Sequence, residues 1–322
     1  MSRDSLIAKL AKIIGTTSAV FALAVLLVVV RLNSLAETTV TSELQTTADN
    51  SAPVIDSLVV SDQENGSLIA EFIPNEGTTK DLYVYGTASD DNGCSDITLI
   101  TVWVFHAPTM PEGPRPTDNN DTYHVDATIS GCTGAGDNGL NYQAIIPIAN
   151  YVDPTDAGSP YPTETWTAIV LINDDTRDGM SLQNFEINSL AAFDTDSFIT
   201  YGVLDLGEIS TEQTINFTNT GNHRVNAIIL ATSTRSGDMV SNLPGFSDIP
   251  AGNVHFSLTS DSYDRGIPVS GISPYYLNIN LPEQTDDLSP APQVATYWRI
   301  KIPDTGVSGT YTNSLDFIAV SY

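Results

Sequence analysis

A chain of 322 residues, 41% of them hydrophobic, is too long for one ordinary domain and can bury two modest cores. Its 39 acidic and 12 basic residues give a formal net charge of −27, which argues against nucleic acid or an anionic membrane surface as a partner, since both require basic footprints. The acids are scattered among Gly, Asn, Thr and Ser, so they belong to a self-repelling folded surface rather than a disordered acidic tail.

Arg3, Lys9 and Lys12 precede Ile13 to Val30, a stretch of 18 residues without a charge, and Arg31 ends it. Ser34-Leu35-Ala36 then offers the small residues that a signal peptidase requires. A basic start, an apolar run and a small-residue exit in that order set residues 1–36 apart from a core helix. The segment reads first as a cleaved signal peptide. The alternative is a retained transmembrane anchor, because 18 residues just span a bilayer. Either way the charge bias places everything after Arg31 outside the cytoplasm. Cleavage after Ala36 would remove four basic residues and one acid, leaving 38 acids against 8 bases. Residues 37–52 are polar and Thr-rich and read as a linker.

From Pro53 onward the apolar runs are short, rich in Val, Ile, Tyr, Phe and Thr, and bounded by Gly, Pro, Asn or Asp. That is the strand signature at sandwich spacing. Strands are expected at Val54–Val60, Leu68–Ile73, Lys80–Ala88, Ile97–His106, Thr122–Ser130, Asn141–Pro147, Glu164–Ile172 and Leu182–Asn188. Leu82 and Val84 share one face, Tyr83 and Tyr85 the other; Trp166, Ala168 and Val170 share a face. Trp103 falls on a strand where a core Trp is commonly placed. Asp90-Asp91-Asn92-Gly93 and Asp174-Asp175-Thr176-Arg177-Asp178-Gly179 read as turns, and Ala107 to Asn120 and Tyr151 to Thr163 as long insertions. Residues 53–193 thus read as an immunoglobulin-like β-sandwich.

A second β-sandwich is expected over 194–322, with strands at Phe198–Leu204, Glu212–Asn219, Val225–Ser233, His255–Ser260, Tyr275–Leu281, Thr296–Ile302 and Gly309–Tyr322. Asn219-Thr220-Gly221-Asn222 reads as a turn tailored for positive φ. Ile199-Thr200-Tyr201-Gly202-Val203-Leu204, Gly207, Glu212-Gln213-Thr214-Ile215 and Asn219-Thr220-Gly221-Asn222 resemble the opening of immunoglobulin-like modules common in prokaryotic secreted surface proteins. Trp298-Arg299-Ile300-Lys301-Ile302-Pro303 and Ser308-Gly309-Thr310-Tyr311-Thr312 are similar to the closing strands of such modules. The resemblance implies a structural or binding role and carries over no catalytic residue. The fold class is therefore all-β, two tandem immunoglobulin-like β-sandwich domains behind a hydrophobic N-terminal helix.

Cys94 and Cys132, the only cysteines, form an even count in an exported chain and are expected to be bonded. His106, His124, His223 and His255 include no metal-binding pair at motif spacing, although His106 and His124 flank a Pro-rich loop and could meet in space. A GxSxG elbow, a Walker A loop and a dinucleotide fingerprint are all absent, so no enzyme is expected. The acidic turns are the candidate metal site: Asp90, Asp91 and Asn92 in one, Asp174, Asp175 and Asp178 in the other, offer the hard oxygens that calcium takes. The competing reading is that Asp and Asn simply make good solvated turns. No other cofactor is expected. Sequons stand at Asn65, Asn120 and Asn216.

The reading that follows is a non-enzymatic, extracellular or cell-surface protein with a structural, adhesive or assembly role. Its expected partners are other envelope proteins, itself or surface polysaccharide, with the membrane touched only through an uncleaved N-terminal helix. A filament or surface-layer subunit and a secreted carbohydrate-binding or carbohydrate-active protein are the alternatives. For the last, Tyr275-Tyr276 and Tyr297-Trp298 are possible platforms, with alternation expected to bury one member of each pair.

Overall fold

Alternation of apolar and polar side chains at period two builds the first half of the molecule. In the computed structural model, residues 50–106, 120–134, 136–243, 247–286, 288–306 and 308–321 are described. The expected export segment (1–36), the linker as far as residue 49 and most of the 107–120 insertion lie outside them. No helix among the described residues is long and apolar enough to cross a membrane.

The strands of the first half are β1 (Val54–Ser61), β2 (Glu71–Phe72), β3 (Lys80–Ser89), β4 (Leu99–His106), β5 (Thr122–Asp126), β6 (Thr128–Ser130), β7 (Gly139–Ile148), β8 (Trp166–Asn173) and β9 (Asp178–Ile187). They form two sheets, ordered β1-β3-β7-β6 and β2-β9-β8-β4-β5. Pairing is antiparallel except between β2 and β9. The inward residues of both sheets, among them Leu82, Val84, Tyr142, Ile146, Val102, Val104, Trp166, Ala168 and Val170, meet in one core. Period-two alternation along long strands puts every second side chain there.

The structure corrects several expectations for this half. Thr122–Ser130 is not one strand: β5 pairs with β4 in one sheet and β6 with β7 in the other, so the chain changes sheets at Ala127. Only two residues of Leu68–Ile73 are strand, and β9 starts at Asp178 rather than Leu182. Trp103 is not the core tryptophan. It lies with Phe105 and Ile169 in a small cluster on the other face of the sheet, because β4 is apolar on both faces and parity assigns Val102 and Val104 inward. Trp166 occupies the core instead, its Nε1 donating to the Asp153 carbonyl at 2.8 Å.

The second half runs β10 (Phe193–Thr195), β11 (Gln213–Asn219), β12 (Val225–Thr232), β13 (Val240–Ser241), β14 (Val254–Ser257), β15 (Ile267–Pro268), β16 (Tyr275–Leu281), β17 (Gln293–Ile300), β18 (Tyr311–Thr312) and β19 (Ser314–Ser321). Its sheets are ordered β10-β11-β17-β14-β15 and β16-β12-β19, with β13 and β18 as a separate pair. Phe217, Phe256 and Trp298 of the first face Ala227, Ile229, Leu277 and Ile279 of the second across another core. Phe198–Leu204 is not a strand. Ile199, Tyr201 and Leu204 reach the core from irregular backbone, while Phe198 and Val203 are exposed.

The sequence 219–222 does not adopt positive φ. Gly221 is required for space: a Cβ there would lie 2.0 Å from the Leu190 carbonyl oxygen and 3.0 Å from the Ala192 nitrogen. This tetrapeptide joins the halves. Asn222 Oδ1 accepts from Leu190 N–H at 2.6 Å and its Nδ2 donates to the Asn188 carbonyl at 3.1 Å. The Thr220 carbonyl accepts from Gly77 N–H at 2.7 Å and from Asn150 Nδ2 at 3.0 Å. The chain from Asn50 to Tyr322 accordingly groups as one unit.

Candidate functional site

The candidate site lies at the turn that leaves β3. Gly93 N–H donates to the Asp90 carbonyl at 3.0 Å, and Gly93 has φ 113°, a conformation that side chains disfavour. A single 3-10 turn, Cys94–Asp96, follows. The segment is held from outside as well. Cys94 N–H donates to the Asp137 carbonyl at 2.7 Å, Asp90 N–H to the Asn138 carbonyl at 2.9 Å, and Cys94 is disulfide-bonded to Cys132 with their Cα atoms 5.7 Å apart. The β8–β9 hairpin turn comes up beside it. Asp175 sits at φ 70°, tolerated because the Asn173 side chain accepts its N–H at 2.7 Å.

These two turns bring the carboxylates of Asp90, Asp96 and Asp174 together, with one oxygen of each within 4.8 Å of the others. Asp90 and Asp174 are only 2% and 3% exposed. Asp174 Oδ1 accepts from Thr176 N–H at 2.8 Å, Arg177 N–H at 2.6 Å and the Thr176 hydroxyl at 3.0 Å; Oδ2 accepts from Asn50 Nδ2 at 2.7 Å. Burial pushes the Asp174 carboxyl up, but these donors outweigh it and hold its pKa below the ordinary value. Asp90 is served differently. Its Oδ1 accepts from Asn92 N–H at 2.7 Å, whereas Oδ2 is buried without a hydrogen-bond partner.

Of the residues named from the sequence, Asp90 and Asp174 meet. Asp91 and Asn92 are exposed in the same turn, Asn92 Oδ1 accepting from Ser51 N–H at 2.7 Å. Asp175 is exposed and accepts from the Thr98 hydroxyl at 3.0 Å; Asp178 accepts from Asn173 Nδ2 at 2.6 Å. Asp96 was missed. It follows Cys94 by two residues, and only the 3-10 turn brings its side chain back toward Asp90.

The histidines do not combine. His106 points into the core side of β4, and both ring nitrogens are taken, Nε2 by Asp153 at 2.8 Å and Nδ1 by Glu164 at 2.9 Å. Burial would lower its pKa, but the hydrogen bonds and charges of Asp153 and Glu164 raise it above the usual histidine value. His124 lies opposite Trp103 with ring centroids 4.3 Å apart, on the other face of the sheet. An imidazole with both nitrogens bonded offers none to a substrate or metal. A shallow groove of about 330 Å³ beside β2 and β9 is lined by Leu68, Phe185, Gln183 and Glu186, with no His, Cys, Lys or Arg around it.

Asn65 is exposed in a turn, Asn216 is exposed on β11, and the Asn120 amide donates to Asp153 at 3.1 Å. Trp298 is wholly buried and Tyr297 partly so, whereas Tyr275 and Tyr276 are both exposed.

No family model matches the chain, and no curated protein matches it in sequence. Among solved structures it is similar to the CsuC–CsuE chaperone–tip adhesion subunit pre-assembly complex from the archaic chaperone-usher Csu pili of Acinetobacter baumannii, at 9% identity and a TM-score of 0.35, over 79% of this chain and 97% of that one. A chaperone–tip adhesin complex of CFA/I fimbriae biogenesis matches at 10% identity and a TM-score of 0.25, over 82% and 84%. The C-terminal domain of the Streptococcus pyogenes antigen I/II-family protein AspA matches at 9% identity and a TM-score of 0.26, over 83% and 95%.

Proposed function

We propose that the chain is a non-enzymatic protein of the cell envelope, exported through residues 1–36 and carrying two tandem immunoglobulin-like domains, 53–193 and 194–322, in a structural, adhesive or assembly role. The observation that carries this reading is where the polar groups go. The disulfide, the clamped His106 and the Asn222 junction all spend their chemistry on holding β elements together. A disulfide also belongs to a compartment that keeps thiols oxidised. Labelling intact cells of the source organism with an antibody against the chain tests the location. Labelling without permeabilisation is expected; labelling only after lysis overturns it.

One observation favours a filament or surface-layer subunit among the possible assemblies. In the order β16-β12-β19 the last strand is an edge among the described residues, and it bears the exposed Ile318. Such an edge accepts an added strand from another chain. Ordered polymers in electron micrographs of the purified protein are the expected result for a subunit, and a monodisperse monomer at high concentration counts against it.

A further inference from the structure

Burying carboxylates side by side is unfavourable, since each loses hydration and each repels the next. Asp174 offsets this with donors on both oxygens. Asp90, the most deeply buried of the three, does not: its Oδ2 is enclosed, and no donor among the described residues reaches it. A buried carboxylate with an oxygen no donor reaches, beside two further carboxylates, is the arrangement that a hard cation completes.

We propose that Asp90, Asp96 and Asp174 bind a calcium ion between the β3 turn and the β8–β9 turn. The donor set is oxygen alone, with no His or Cys in the group, which selects a hard ion over zinc or copper. Oxygens that share one calcium lie up to about 5 Å apart, given Ca–O distances of about 2.3–2.6 Å. The three carboxylates meet that condition. Asp96 is half-buried and opens the group to solvent, so water completes the six to eight oxygens that calcium takes. Magnesium demands a tighter octahedron and gives up its water reluctantly, so turns of this kind suit it poorly.

The ion would have a mechanical consequence. β3 belongs to one sheet of the first half, β8 and β9 to the other. A cation shared by Asp90, Asp96 and Asp174 ties the sheets together at the same end as the Cys94–Cys132 bridge.

The test is thermal unfolding of the full chain in detergent, with calcium, magnesium or sodium chloride at matched ionic strength. Calcium is expected to raise the melting temperature at concentrations where magnesium and sodium do little. Asp96→Asn, nearly isosteric and half-exposed, should weaken the calcium response by about tenfold or more in concentration, as loss of one carboxylate ligand does. Asp90→Asn should do the same. Asp91→Asn and Asp175→Asn, beside the group but outside it, should respond like the parent chain. Asp174 is left intact because it also holds its own turn. Equal responses to calcium and magnesium would reduce the effect to charge screening and overturn the proposal. So would folded Asp96→Asn and Asp90→Asn proteins whose calcium response matches the parent's.

Discussion

The two halves of this molecule reach the same kind of core by different routes. In the first, β3, β7 and β9 each run ten residues and β4 and β8 eight, and the alternating inward side chains of these five strands supply most of the core. In the second, the longest strands have eight residues, and four have two or three. Its core is completed by residues off the strands, such as Val269 and Ala251, and by Ile199, Tyr201 and Leu204 packing from irregular backbone. The first half also carries a covalent tie; the described cysteines are all in it. Long alternating strands specify their own register, because a slip of one residue would expose the whole apolar set. The residues that the second core draws from irregular backbone have no such local check and depend on the sheets already being in place.

Core truncation should separate the halves most sharply. Trp166→Ala and Trp298→Ala each remove a wholly buried indole, at a cost of about 3–5 kcal/mol. Calorimetry is expected to show Trp298→Ala lowering a second-half transition while the bridged first half persists. Equal loss of signal from both halves in both variants would mean that they unfold only together.

Reducing the disulfide comes next. It closes a loop with a sequence separation of 38, so its removal should cost the first half about 4 kcal/mol by chain entropy. Denaturant titration with and without reductant measures this, and a shift confined to the second half would contradict the assignment. Two alkylatable thiols in the native protein would exclude the bridge altogether.

Gly221→Val addresses the junction itself. With 2.0 Å to the Leu190 oxygen, the added side chain should cost about 1–3 kcal/mol and draw the transitions of the two halves further apart. Parent-like melting would show that the junction does not couple the halves.

The smallest effect is one of pH. His106 has a raised pKa in the folded protein, so its clamp contributes fully below the unfolded value, about 6.5. The contribution fades as pH rises through the folded value. The stability gap between the parent and His106→Gln should therefore be widest in acid and narrow toward alkaline pH. A gap that widens with pH would reverse the sign and reject the clamp.

Strand existence was legible in most places because apolar alternation is a local property: Leu82 with Val84, and Trp166 with Ala168 and Val170, do face the core as a pair and a trio. So was the pairing of Cys94 with Cys132, since two cysteines allow only one intramolecular bridge. Beyond that, long-range geometry decided. β4 is apolar at Val102, Trp103, Val104 and Phe105, so its sequence alone cannot say which tryptophan is central. The sheet change at Ala127 leaves no local mark in a run that is strand-like throughout. Gly221 looked like a glycine chosen for its torsions and proved to be one chosen for its missing Cβ, because the obstructing Leu190 oxygen belongs to a distant segment. The acidic turns show the same division. Turn sequence marked Asp90 and Asp174 as turn carboxylates, but which neighbours join them depends on how the 3-10 turn between β3 and β4 and the β8–β9 hairpin turn are aimed at each other, and that is settled only when both sheets close over one core.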